Sequence, residues 1–121
     1  MVDGLNRTSY NSVVGKVLAR LREQRGLEQD QLAAQLGINQ SSWSRVERGD
    51  TKLTLETLAS VSDVFGLRTN DIVREIDMAV EGLNNLDVEV VNSRSRKVGD
   101  AALILLTGAA LGILVSKVLK K

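Results

Sequence analysis

The sequence predicts an all-α fold: five short helices packed as one domain, then a linker, then one apolar helix at the C-terminal end. Three observations predict it. The 121 residues contain no proline, so nothing in the chain removes a helix donor. Apolar residues recur at three- and four-residue spacing, the period of one helix face. Glycine stands at most of the expected helix ends, where a left-handed residue closes the last turn.

The elements follow in order. Val14, Val17, Leu18 and Leu21 share one face of a first helix, with Asn11 as its cap and Gly26 as its stop. Leu32, Ala33 and Leu36 define a short second helix that ends at Gly37. Asn39 caps a third, which runs to about Arg48 and stops at Gly49. Thr54 caps a fourth, carrying Leu55, Leu58, Val61 and Phe65 to Gly66. Asn70 caps a fifth, with Asp71 at its positive end and Ile72, Ile76, Ala79, Val80 and Leu83 on its apolar face. The expected core is Val14, Val17, Leu18, Leu21, Leu32, Ala33, Leu36, Ile38, Trp43, Val46, Leu53, Leu58, Val61, Phe65 and Leu67.

After Leu83 the pattern changes. Leu86-Asp87-Val88-Glu89-Val90 alternates apolar and charged, the period of a strand. A lone strand cannot satisfy its own edges, so this stretch either pairs with a second copy or is an extended linker. The expected divisions are a flexible N-terminus at 1–11, the helical domain at 12–83, a linker at 84–97 and the apolar helix at 98–121.

Composition excludes several classes of function. There is no Cys and no His, which removes disulfides, ordinary zinc sites and Ser-His or Cys-His catalytic pairs. No Asp- and Gly-rich loop resembles a calcium site. No metal, cofactor or enzymatic activity is expected. Three aromatics, Tyr10, Trp43 and Phe65, give no platform for stacking single-stranded bases. The net charge of +1 hides an asymmetry: residues 1–66 are neutral, 67–90 carry −4 and 91–121 carry +5. Such a shift suggests separate tasks for body and tail. The N-terminus lacks a basic stretch followed by an apolar run, so the body is expected inside the cell.

One stretch carries the functional reading. Residues 29–49 place Leu32, Ala33, Leu36, Gly37, Ile38, Trp43 and Val46 where two helices and a tight turn would pack. Gln40, Ser41, Ser44 and Arg45 then face outward from the second of them. A helix fits the major groove of duplex DNA, where Gln pairs with adenine and Arg with guanine.

The stretch Leu21…Gly26-Leu27-Glu28-Gln29…Leu32-Ala33…Leu36-Gly37-Ile38…Ser44-Arg45-Val46-Glu47-Arg48-Gly49…Leu55-Glu56-Thr57-Leu58 resembles the Cro/CI-type helix-turn-helix family, also called lambda-repressor-like or XRE regulators. The likeness covers residues 12–74. It implies a five-helix, dimeric domain on pseudo-palindromic operators. By position, it implies base contacts from Gln40, Ser41, Ser44 and Arg45, and contacts to the DNA backbone from Gln29, Asn39, Arg48 and Lys52. It also implies a structural ion pair between Arg22 and Glu47. Trp43 replaces the family's usual small β-branched residue, and Glu28 replaces its usual Ser or Thr cap.

The tail needs its own account. Residues 101–116 carry no charge, and the run is apolar on every face. It therefore requires burial in lipid or in protein. A span of 98–119 reaches membrane length but includes Asp100 and Lys117. Gly108, Gly112 and Ser116 form a small-residue stripe that lets two helices approach closely. The expectation is a cytoplasmic, nucleoid-associated regulator acting on operator DNA as a homodimer or higher oligomer. Its tail would anchor it to the inner membrane or assemble it. The alternative is a membrane-anchored interaction protein that uses the same helical fold to bind a protein partner.

Overall fold

The computed structural model describes residues 6–92. The expected apolar helix at 98–121, with Gly108, Gly112 and Ser116, lies outside the described residues. Among the described residues five helices form: α1 (Tyr10–Gln24), α2 (Gln29–Leu36), α3 (Gln40–Arg48), α4 (Leu55–Phe65) and α5 (Thr69–Asn85). Two short strands flank them, β1 (Arg7–Ser9) and β2 (Glu89–Val91).

Helix α1 is the hub of the packing, with α3 against one side and α5 against another. Helix α2 packs on α3 and α4. The core contains Val14, Val17, Leu18, Leu21, Leu32, Ala33, Trp43, Val46, Leu58, Val61 and Phe65, as the spacing predicts. Leu36, Leu53 and Leu67 pack against it partly buried. Val13, Ile72 and Ile76 join the core, so the inner face of α5 closes it. Ile38 does not join it and stands 37% exposed. Its backbone N–H closes the end of α2 on the Ala33 carbonyl, and the turn there directs the side chain outward.

Two caps behave as the sequence predicts, and two helix starts differ. Asn39 accepts from the Ser42 N–H at 2.8 Å, and Thr54 accepts from the Thr57 N–H at 3.0 Å. Helix α1 begins earlier than expected, because the Ser9 hydroxyl accepts from the Ser12 N–H at 3.0 Å. A serine two positions upstream thus takes the cap assigned to Asn11. Helix α5 likewise begins before Asn70: Arg68 is its cap residue and offers no side-chain cap bond. The Asp71 carboxylate instead reaches back to accept from the Arg68 N–H at 2.9 Å. Glu28 is the corresponding case at α2, where the Gln31 side chain accepts from the Glu28 N–H at 2.7 Å.

The described residues are mainly helical, as the all-α expectation has it, with one small addition. β1 and β2 pair in parallel, with Arg7 opposite Glu89, Thr8 opposite Val90 and Ser9 opposite Val91. The alternating stretch is a strand, and its partner is neither a second copy nor solvent but the N-terminal segment of the same chain. Residues 7–11, expected to be flexible, are therefore strand and helix, and 89–91 of the expected linker are strand. Val90 packs against the core, while Arg7 and Glu89 form an exposed ion pair at 3.3 Å. The turn from α5 into β2 is made by Asp87 at φ +65°. Aspartate tolerates this left-handed conformation better than most residues.

Candidate nucleic-acid interface

Two glycines let α3 sit where it does. A Cβ on Gly15 of α1 would overlap the carbonyl oxygens of Val46 and Glu47. Only a residue without Cβ lets α1 cross the α3 backbone this closely. Gly49 ends α3 at φ +83°, and a Cβ there would meet Ser12 Oγ at 2.6 Å. A left-handed residue without a side chain is required on both counts.

With its inner edge fixed by Trp43 and Val46, α3 has a definite outward face. At about 100° per residue, Gln40, Ser44, Arg48, Ser41 and Arg45 cover an arc of about 140° opposite those two. Gln40, Ser41, Arg45 and Arg48 are exposed and Ser44 is half-buried. Among the described residues, the Arg45 guanidinium has no hydrogen-bond or ion-pair partner. Arg48 is already engaged, donating to Ser44 Oγ at 2.7 Å and to Asp50 at 3.1 Å. The Ser41 hydroxyl donates to Asn39 Oδ1 at 2.9 Å, so Asn39 is occupied as a cap. Lys52 is exposed beyond the end of α3.

Behind this face lies one buried carboxylate. Arg22 of α1 reaches Glu47 of α3 with two N–H groups, Nε to Oε2 at 2.7 Å and Nη2 to Oε1 at 3.0 Å. The side chains are 9% and 6% exposed. The remaining Arg22 nitrogen donates to the Leu27 carbonyl at 2.7 Å, tying in the loop before α2. The ion pair that the resemblance implies is thus present as a two-pronged bond. Sequence reasoning missed the two further donors on the same carboxylate. Gln29 Nε2 donates to Oε1 at 2.8 Å and Trp43 Nε1 donates to Oε2 at 2.6 Å. A Trp four residues before a Glu on one helix was the available signal for the second.

Burial opposes ionisation of Glu47, but the hydrogen bonds from Arg22, Gln29 and Trp43, with the Arg22 charge, prevail and hold its pKa below the ordinary carboxylate value. The bond from Glu47 raises the Arg22 pKa above its usual value against the opposing effect of burial. Both groups are charged across the whole neutral range.

Gln29 stands at the start of α2, half-buried, beside Gln40. Gln40 Nε2 lies 3.4 Å from Gln29 Oε1, a long contact. An amide nitrogen has two protons, so Gln29 spends one on Glu47 and retains one for an outside acceptor. An open cleft of about 590 Å³ lies here, lined by Arg22, Gln29, Gln40 and the loop between α1 and α2. Among the described residues, no cluster of acids could hold a metal ion. Arg25 faces elsewhere: it donates to the Phe65 carbonyl at 3.0 Å and lies 5.0 Å over the Phe65 ring.

This geometry, two helices joined at Gly37 with the second presenting a polar face braced from behind, agrees with the known proteins that the chain resembles. Residues 13–75 match the family described as a helix-turn-helix domain. The chain belongs to the XRE-type helix-turn-helix regulators. It is 32% identical over 97 residues to a Pyrococcus horikoshii protein named as an HTH-type transcriptional regulatory protein, covering 74% of this chain and 30% of that one. An uncharacterized HTH-type transcriptional regulator of Sinorhizobium fredii is 34% identical over 65 residues, 54% of this chain and 84% of its own. The chain spans less than a third of the two Pyrococcus relatives that it matches. Among solved structures, the clp gene regulator ClgR of Corynebacterium glutamicum superposes with a TM-score of 0.55 at 26% identity, over 58% of this chain and 90% of that one. The restriction-modification controller protein C.Esp1396I superposes with a TM-score of 0.56 over 60% of this chain and 95% of its own. Its 19% identity makes that a likeness of fold alone.

Proposed function

We propose that this regulator binds double-stranded DNA in a sequence-specific way, as a dimer, and represses transcription from the operator it occupies. The observation that carries the reading is the outward arc of α3, with Gln40, Ser41, Ser44 and Arg45 on a helix whose far side is locked to α1 by Arg22 and Glu47. A rigid helix with an exposed Gln and an unpaired Arg suits direct reading of base edges.

The roles divide accordingly. Gln40, Ser41, Ser44 and Arg45 contact bases. Gln29, Asn39, Arg48 and Lys52 contact the phosphate backbone, Gln29 through its remaining amide proton. Residues 1–66 are neutral overall, so one domain gains little from phosphate attraction, and a dimer doubles the contacts. A protein of the same fold, C.Esp1396I, has been solved as a tetramer on its natural 35 base-pair operator.

The apolar segment 101–116 is the second part of the proposal. Among the described residues no helix is long and apolar enough to cross a membrane, and this segment lies outside them. Its burial in the inner membrane or in an oligomer would hold DNA-binding domains close together and favour bivalent binding.

The test is selection of duplexes from a randomised pool by the full chain, followed by footprinting. Arg45→Ala is expected to relax preference at one base pair, and Gln29→Ala to weaken all sequences alike. Equal losses on selected and random DNA for both variants would contradict these roles. Fractionation of cells, comparing the full chain with one ending at Asn92, which keeps α5 and β2 intact, separates membrane burial from soluble assembly.

A further inference from the structure

An ionised carboxylate offers about four acceptor sites, two on each oxygen. On Glu47 all four are filled. Oε2 accepts from Arg22 Nε at 2.7 Å and Trp43 Nε1 at 2.6 Å. Oε1 accepts from Arg22 Nη2 at 3.0 Å and Gln29 Nε2 at 2.8 Å. The Arg22 guanidinium fixes the carboxylate plane by holding both oxygens. That leaves one further site on each oxygen, and the buried indole takes the one on Oε2.

We infer that Trp43 is a positioning residue for Gln29: by occupying Oε2 of Glu47, its indole N–H leaves a single berth, on Oε1, for the Gln29 amide. The functional consequence rests on the DNA-binding reading, whereas the positioning itself is a property of the free protein. The residue is the only tryptophan in the chain and is fully buried. A purely apolar side chain would fill the same core without touching the carboxylate. With the berth fixed, the nitrogen of Gln29 points inward and its oxygen faces Gln40 Nε2 at 3.4 Å. An acceptor-only group at the root of this chain of amides sets which way Gln29 is turned. Without the indole donor a second acceptor site opens on the same carboxylate, and the amide loses its unique placement.

Two variants of the full chain test this. Trp43→Phe removes the donor along with some volume. Replacement of Trp43 by the isostere 3-benzothienylalanine removes the donor and keeps the bicyclic shape, so a folding defect in the first does not mask the answer. In the free protein, the Gln29 side-chain amide resonances are expected to shift towards those of a mobile glutamine in both variants. Unchanged resonances in the isostere overturn the inference.

On a duplex selected by the wild-type chain, each variant is expected to lose about three- to tenfold in affinity. Adding Gln29→Ala is expected to leave binding no weaker than Gln29→Ala alone, because the two residues act in series. Losses that multiply overturn the inference, since a merely structural Trp43 would act independently of Gln29. If the wild-type chain selects no duplex, the DNA-binding reading fails and the amide spectrum still decides the positioning.

Discussion

Replacing Glu47 with alanine is expected to remove about 4 kcal/mol of folding stability. The number comes from what the carboxylate leaves behind. The Arg22 side chain is 9% exposed, so truncation strands a buried guanidinium that keeps only its bond to the Leu27 carbonyl. Breaking a buried pair by removing one partner costs about 3–5 kcal/mol. The Trp43 indole N–H also loses its acceptor, and an orphaned buried donor costs about 1–3 kcal/mol. These groups share one network, so the two costs overlap rather than add. A domain of this size has about 5–15 kcal/mol in total, and the loss is a large share of it. Removing both charges with Arg22→Met and Glu47→Leu together leaves no stranded ion and is expected to be milder than Glu47→Ala. Urea unfolding followed by circular dichroism reads both, with the midpoint falling by about 2 M for the single variant. A single variant within 1 kcal/mol of wild type, in the sense of an exposed pair, or a double variant worse than the single one, would refute this account of the buried carboxylate.

Other outcomes follow from the same geometry. Because the fold holds Glu47 below the ordinary carboxylate pKa, its contribution is complete above about pH 4.3, the unfolded value. That contribution is lost as pH falls through the lower folded value, so the urea midpoint of Glu47→Gln should depend less steeply on acid than that of wild type. Gly15→Ala places a methyl group 2.6 Å from the Val46 carbonyl oxygen. It is expected to cost about 1–3 kcal/mol and, by displacing α3 from α1, to weaken binding to a selected duplex beyond the stability loss; retention of wild-type affinity would disprove that coupling. Arg7→Ala should change stability by less than about 1 kcal/mol, since its partner Glu89 is in water. Val90→Asp, which charges a side chain packed on the core, should release the sheet, and hydrogen exchange at Val91 and Ser9 would report it.

Most of the helical body was legible because its signals are local. The Asn39 and Thr54 caps, the glycine stops and the three- and four-residue apolar spacing act within a single turn. What escaped depends on contacts between distant parts of the chain. The alternation at 86–90 announces a strand, but nothing nearby names Arg7–Ser9 as its partner. Ser9 and Asn11 are both good caps, and only the closed sheet places the first of them at the helix start. Arg68 is a poor cap by type and works through Asp71, so the sequence favours Asn70 instead. At the candidate interface, the outward placement of Gln40 and Arg45 on α3 was legible from the helical spacing. The engagement of Gln29 and Trp43 with Glu47 was not, because it requires α1, α2 and α3 to meet at one carboxylate.

The parallel pairing of β1 with β2 also decides how the domain would respond to traction. β1 runs into α1 at the same end of the ladder at which β2 ends, at Val91. Tension applied through the segment beyond Asn92, with the domain held by its helices, would therefore peel three residue pairs one after another. The ladder would open like a zipper from the Ser9 end, and the pull would reach α5 directly only after it had given way.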